Sequence, residues 1–150
     1  MKSTFRRRLI LSWAFFNSSG ELLVQNAESE ATQAELEAET AGVKFVPPDL
    51  VKYSPGVAKG WIEWDSGSNV EVSYNVTSLT DNGTGDQTIT WATDFSGADY
   101  CVVGCNGDDR FISTSSTTQP TAGATRMQQS SDGGSAVDAS HTYVAAFGDQ

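Results

Sequence analysis

Tyr74–Phe95 reads YNVTSLTDNGTGDQTITWATDF, with two aspartates, an asparagine and two glycines packed into Asp81-Asn82-Gly83-Thr84-Gly85-Asp86. Such a segment is either an ion-binding loop or a chain reversal. An EF-hand loop spreads oxygen ligands over twelve residues and closes on a bidentate Glu, and the twelfth residue from Asp81 is Ala92. A smaller calcium site built from Asp81, Asn82, Asp86 and backbone carbonyls is short of ligands. Asp and Asn readily hydrogen-bond their own backbone, while Gly83 and Gly85 supply positive φ. The segment is therefore read as a reversal between a strand ending near Thr77 and one starting near Gln87.

On both sides the pattern has period two. Ile62 and Trp64 alternate with Trp61 and Glu63, and Val70, Val72, Tyr74 and Val76 alternate with Glu71, Ser73, Asn75 and Thr77. The Asp65–Asn69 stretch supplies a hairpin loop between these runs. Further short strands are expected at 88–92, 100–104, 110–113, 126–130 and 142–147. Seven or so strands with Gly-rich and Ser/Thr-rich turns predict an all-β fold, a sandwich or jelly-roll-like antiparallel domain over residues 58–150. The stretches 113–123 and 130–140 carry few apolar residues and read as exposed loops tolerant of change.

Residues 27–57 read as a short helix and a Pro-rich connector. Thr32-Gln33-Ala34-Glu35 fits a capping box, opening a helix of about two turns that is too short to stand alone in water. Gly42 is placed to end it, and Val46-Pro47-Pro48 and Ser54-Pro55-Gly56 force an extended, turning path. Residues 1–26 form a third unit, MKSTFRRRLILSWAFFNSSGELLVQN. Its basic start and short apolar run have the outline of a signal peptide, but no small-x-small cleavage site follows Phe16. The competing reading is a hairpin of Leu9–Phe16 and Glu21–Gln25 across Asn17-Ser18-Ser19-Gly20, whose aromatic residues need a partner surface.

Charge narrows the function classes. Lys2, Arg6, Arg7 and Arg8 are four of the nine basic residues, and all 19 acidic residues lie beyond them. An acidic body cannot neutralise phosphates, so nucleic-acid binding is not expected. The apolar run at the N-terminus is also far below the ~20 residues of a membrane span.

No chemistry stands out. Cys101 and Cys105 in one strand point to the same face about 13 Å apart, too far to bridge, and with the single histidine they make a poor zinc set. They are expected as small buried side chains. His141 sits in a terminal strand pattern, and Asp138 and Ser140 beside it do not make a triad. Walker, GxGxxG and GxSxG motifs are absent, and no carboxylate pair is singled out by spacing. Trp61, Trp64 and Trp91 fall in strand patterns that suit core or interface packing before a sugar platform. No cofactor, metal or catalytic residue is assigned.

Read in order, ATQAELEAET (31–40), KFVPPDLVKYSPGVAKGW (44–61), VSYNVTSLTDNGTGDQTITWATDFSGADYCVVG (72–104) and YVAAFGD (143–149) resemble a pattern of bacteriophage tail-fibre and related virion fibre proteins. The likeness covers about residues 31–150. Its most specific part is the strand-turn-strand signature around Asp81, Asn82, Gly83, Gly85 and Asp86. Ser54-Pro55-Gly56 stands where His-Pro-Gly is frequent in that group. The resemblance implies a non-enzymatic homotrimeric attachment protein of the virion, a short tail or head fibre, with a helix and connector where three chains meet. Leu36, Phe45 and Val46 are then candidate trimer contacts. Arg6, Arg7, Arg8, Trp13, Phe15 and Phe16 are candidates for docking to another virion protein, and the β domain would face a host glycan or protein. The alternative is a secreted carbohydrate-binding module whose N-terminus is a cleaved signal peptide.

Overall fold

The structure, a computed structural model, describes residues 15–16, 22–23, 30–40, 42 and 44–150. Arg6, Arg7, Arg8 and Trp13 lie outside the described residues. Phe15–Phe16 (β1) pairs antiparallel with Leu22–Leu23 (β2), Phe15 opposite Leu23.

From Gly60 the period-two pattern becomes eight strands. They are β3 Gly60–Asp65, β4 Val70–Tyr74, β5 Val76–Gly83, β6 Asp86–Trp91, β7 Cys101–Asn106, β8 Phe111–Thr114, β9 Ala124–Ser130 and β10 His141–Phe147. Every pairing is antiparallel, in two four-stranded sheets ordered β4-β3-β10-β7 and β5-β6-β9-β8. Alternate side chains of the central strands point to one shared core. Ile62 and Trp64 of β3 and Val144 and Ala146 of β10 meet Ile89 and Trp91 of β6, Met127 of β9 and Phe95. Burying each large member contributes roughly 1.5–3 kcal/mol.

The long alternating run after Val70 is not one strand. It breaks at Asn75, whose φ of 57° is left-handed, and the chain passes there from one sheet to the other. The Asn75 side chain holds the corner. Its Nδ2 donates to the carbonyls of Lys59 at 2.9 Å and Thr93 at 3.3 Å, and its Oδ1 accepts from the Thr93 N–H at 2.7 Å. Asn tolerates this conformation because its short amide can bond the local backbone.

A second anchor is Tyr100, stacked on Phe95 with ring centroids 3.9 Å apart. Its hydroxyl accepts from Trp91 Nε1 at 3.1 Å and lies 2.9 and 3.0 Å from the carbonyl oxygens of Thr121 and Ala124. The 92–100 crossover is thereby tied to the start of β9.

One end of the core is polar. Gln87, Gln129 and Thr142 are buried, and buried polar groups must be paired. Gln129 Nε2 donates to Gln87 Oε1 at 2.8 Å, and Gln129 Oε1 accepts from the Ala139 N–H at 2.9 Å. Thr142 Oγ1, with one proton, faces both Gln129 Oε1 at 3.1 Å and Asn106 Oδ1 at 3.0 Å, while Asn106 Nδ2 is buried without a partner. Turning the Asn106 amide over resolves both: Nδ2 then donates to Thr142 Oγ1, whose proton goes to Gln129. The 130–140 stretch, expected to be an exposed loop, closes this end, because Ala139 is buried and Asp138 binds the β5–β6 hairpin.

The capping box forms as expected: the Glu35 N–H donates to Thr32 Oγ1 at 3.3 Å, and the Thr32 N–H donates to Glu35 Oε2 at 2.9 Å. The helix α1, Gln33–Glu37, is shorter than two turns and ends before Gly42. Glu39 takes the left-handed position with φ 52°, and the Thr40 and Glu39 N–H groups bond the carbonyls of Glu35 and Leu36. That is the bonding of a Schellman end, made without glycine. The connector is fastened to the β body by Lys59. Lys59 is buried, and its ammonium donates to the carbonyl oxygens of Lys52 and Ser54, beside the 3-10 turn Val51–Tyr53. Burial pushes this lysine below its ordinary pKa of 10.5, and Asp149 and Glu37 partly offset that.

Candidate functional site

The Asp81–Asp86 segment is a reversal, but tighter than expected. β5 runs on to Gly83 and β6 begins at Asp86, so the strands are joined through Thr84-Gly85. The extra residues enter the ladder as irregularities between Val76 and Ser78 and between Asp81 and Gly83. Gly83 and Gly85 have φ of 126° and 68°. Asp81 Oδ1 accepts from the Gly83 N–H at 2.9 Å, and Asn82 Nδ2 donates to Thr88 Oγ1 at 2.8 Å and Asp86 Oδ1 at 3.2 Å. The Asp86 carboxylate takes both arms of Arg126, with Nε 2.7 Å from Oδ1. The guanidinium, helped by Asn82, holds Asp86 below its ordinary pKa of 3.8 against the opposing effect of burial. Asp81 Oδ1 and both oxygens of Asp86 thus serve protein donors. Among the described residues, no group of three His, Cys, Asp or Glu lies close enough to hold a metal ion.

In the connector, Leu36 is half-buried while Phe45 and Val46 are exposed at 45% and 38%. The backbone presenting them is fixed: the Ala31 N–H donates to the Phe45 carbonyl at 3.0 Å, and Lys44 pairs with Glu35 at 2.6 Å. The Lys44 hydrogen bond is the main cause of a Glu35 pKa of about 2, ahead of the two Thr32 bonds.

The two outer sheet faces differ sharply. On the β5-β6-β9-β8 sheet, the pairings put Thr80, Thr88, Asp86, Arg126, Gln128 and Ser113 outward. That is an ordinary solvated surface, broken by Phe111 at its edge. The β4-β3-β10-β7 sheet turns Trp61, Val72, Tyr74, Val103 and Tyr143 outward, each between 39% and 53% exposed. Register makes this one patch: Tyr74 lies beside Trp61, Val72 beside Glu63, Glu63 beside Tyr143, Tyr143 beside Cys105, and Val103 beside Ala145. A depression of ≈ 560 Å³ lies over it. The alternating apolar residues of β4 ordinarily predict a core-facing set, yet they point away from the core. Among the described residues, Glu63 is the one charged side chain lining the depression. Desolvation, and then the Glu63 carboxylate, hold the Tyr143 phenol above its ordinary pKa of 10.0.

Cys101 and Cys105 do share a strand and a face, but both are exposed, on this patch. Sequence reading expected them inside because it could not tell which face of a strand with Val102 and Val103 adjacent turns inward. Trp64 and Trp91 are buried, whereas Trp61 is on the patch. His141 is exposed at the start of β10. Among the described residues no helix is long and apolar enough to cross a membrane. Compared with known proteins, the chain matches no family model, no characterised protein and no solved structure.

Proposed function

We propose that this chain is a bacteriophage virion structural protein, a short homotrimeric tail or head fibre that takes part in attachment to the host surface and has no enzymatic activity. The ordered likeness of residues 31–150 to virion fibre proteins is the source of this reading. The observation that carries it is the connector. Phe45 and Val46 stay exposed on a segment whose backbone is pinned by Ala31, Lys44 and Lys59. Fixed, exposed apolar side chains suit a contact completed by neighbouring chains, and Leu36 lies on the helix beside them.

In this reading the β body is a sandwich, its two sheets packed through the shared core. The basic and aromatic N-terminus, with Arg6, Arg7, Arg8, Trp13, Phe15 and Phe16, docks on another virion protein, and the body faces a host glycan or protein. Removing residues 1–26 should leave a folded trimeric body that no longer joins particles. Loss of folding, or unaltered incorporation, contradicts the assignment of that segment.

A second reading, a secreted carbohydrate-binding module, draws on Trp61, Tyr74 and Tyr143, three exposed aromatics on one sheet face. It requires a mature protein without Met1–Asn26, which N-terminal sequencing detects.

A further inference from the structure

We propose that the outer face of the β4-β3-β10-β7 sheet is where copies of this chain pack on one another, with Trp61, Val72, Tyr74, Val103 and Tyr143 at the centre of the contact. This rests on the homotrimer reading and adds a surface that the helix and connector do not supply.

The composition of the face suits a protein partner. Its centre is aromatic and β-branched and holds, among the described residues, one charge, Glu63, while Asp65 and His141 stand opposite one another at one end. A charge-depleted aromatic centre with a polar rim is the anatomy of a protein interface. A glycan platform needs several polar groups around its aromatics to bond sugar hydroxyls, and this face offers Glu63 and two phenols among valines. The other sheet's outer face, rich in hydroxyls and carrying Asp86 and Arg126, shows what the same chain presents to water.

The occupant follows from charge and size. The chain carries a net charge of −10, so two copies repel over most of their surfaces, and a nearly uncharged face is where they approach at least cost. Four strands about 4.8 Å apart and five residues at about 3.3 Å give a footprint of roughly 20 by 17 Å. With side-chain relief that is on the order of 500 Å² of accessible surface per copy, so three such faces meeting together bury roughly 1,500 Å² in all, the scale of a specific assembly. Three such faces closing round an axis give each copy two neighbours and leave no open end.

The test is the mass in solution of the full chain and of a Val72→Asp/Val103→Asp variant. Both valines are close to half exposed in the single chain, so the β body should tolerate the change. The expected result is three 16.0 kDa chains for the wild type and a folded single chain for the variant. A variant that remains a trimer overturns the proposal and leaves the homotrimer reading standing. A wild type that stays a single chain overturns both, and soluble polysaccharide binding by that single chain, lost in Trp61→Ala, assigns the face to sugar instead. Should the variant fail to fold, alkylation of Cys105 in the wild type decides. With nine-tenths of the chains assembled, only the free fraction reacts and the rate falls about tenfold relative to dilute single chain; an unchanged rate overturns the proposal.

Discussion

Asp138 Oδ1 accepts the Gly85 N–H at 2.7 Å and the Gln87 side-chain amide at 3.2 Å, joining the loop before the last strand to the tip of the β5–β6 hairpin. The Gly85 carbonyl in turn accepts the Gln129 N–H at 2.8 Å. Gly85 is therefore buried against its neighbours, and it makes the turn a structural joint of the body.

Gly85→Ala should be among the most damaging single changes. An added Cβ would lie 2.5 Å from the Gln129 carbonyl oxygen and 2.7 Å from the Val137 nitrogen, at a φ of 68°. Backbone strain and overlap together should cost about 2–5 kcal/mol in chemical denaturation. Gly134→Ala, at φ 78° with open space around it, should cost only about 1 kcal/mol. Equal losses at the two sites would refute the packing of the turn.

Gln129→Leu removes the acceptor of the buried Ala139 N–H and the donor to Gln87 Oε1. The buried Thr142 hydroxyl loses Gln129 Oε1 as well, and three buried polar groups left unpaired should cost about 3–6 kcal/mol. Because Gln87 belongs to the same network, adding Gln87→Leu should cost less than the sum of the two single changes. Strict additivity in a double-mutant cycle would show that the pair is not coupled.

Tyr100→Phe keeps the stack on Phe95 and removes the hydroxyl that serves Trp91 Nε1 and the 121–124 turn. A loss of about 1–3 kcal/mol is expected, with a changed Trp91 emission in the folded state. An unaltered melt would mean that water replaces the hydroxyl.

Asp86 links stability to pH. Its folded-state pKa lies below the ordinary 3.8 because of Arg126, so its contribution is present above that pH and is lost as pH falls through the lower folded value. Arg126 is itself pushed further up by its hydrogen bond to Asp86 and stays charged throughout. Melting temperatures of wild type and Asp86→Asn should differ near pH 6 and converge towards pH 2. Comparing the two isolates Asp86 from Glu35 and Asp65, which are lowered as well. A constant gap across that range would remove the pair from the account.

Much of the body was legible because the local signals agree. The strands around Ile62, Ile89, Met127 and Val144 alternate cleanly, the Thr32–Glu35 box caps a helix, and Asp81–Asp86 reverses the chain. What escaped the sequence was decided by tertiary contact. Asn75 breaks a run that looks like one strand, because three bonds to Lys59 and Thr93 stabilise a left-handed residue there. Glu39 ends the helix before Gly42 is reached. The 130–140 loop looks solvated by composition, yet Asp138 and Ala139 are held by polar contacts to Gly85, Gln87 and Gln129 that leave no periodic trace. Val72, Tyr74, Val103 and Tyr143 escaped for a different reason. Period two says that a strand has an apolar side, not whether its own core or another molecule covers it.

The most direct test of the fibre assignment is electron microscopy of intact particles from the producing lysate, labelled with antibody against residues 58–150. The account predicts label on a projecting fibre, carried by chains that keep Met1–Asn26. Unlabelled particles, with the chain recovered free and cleaved before residue 27, would contradict it and favour the secreted module.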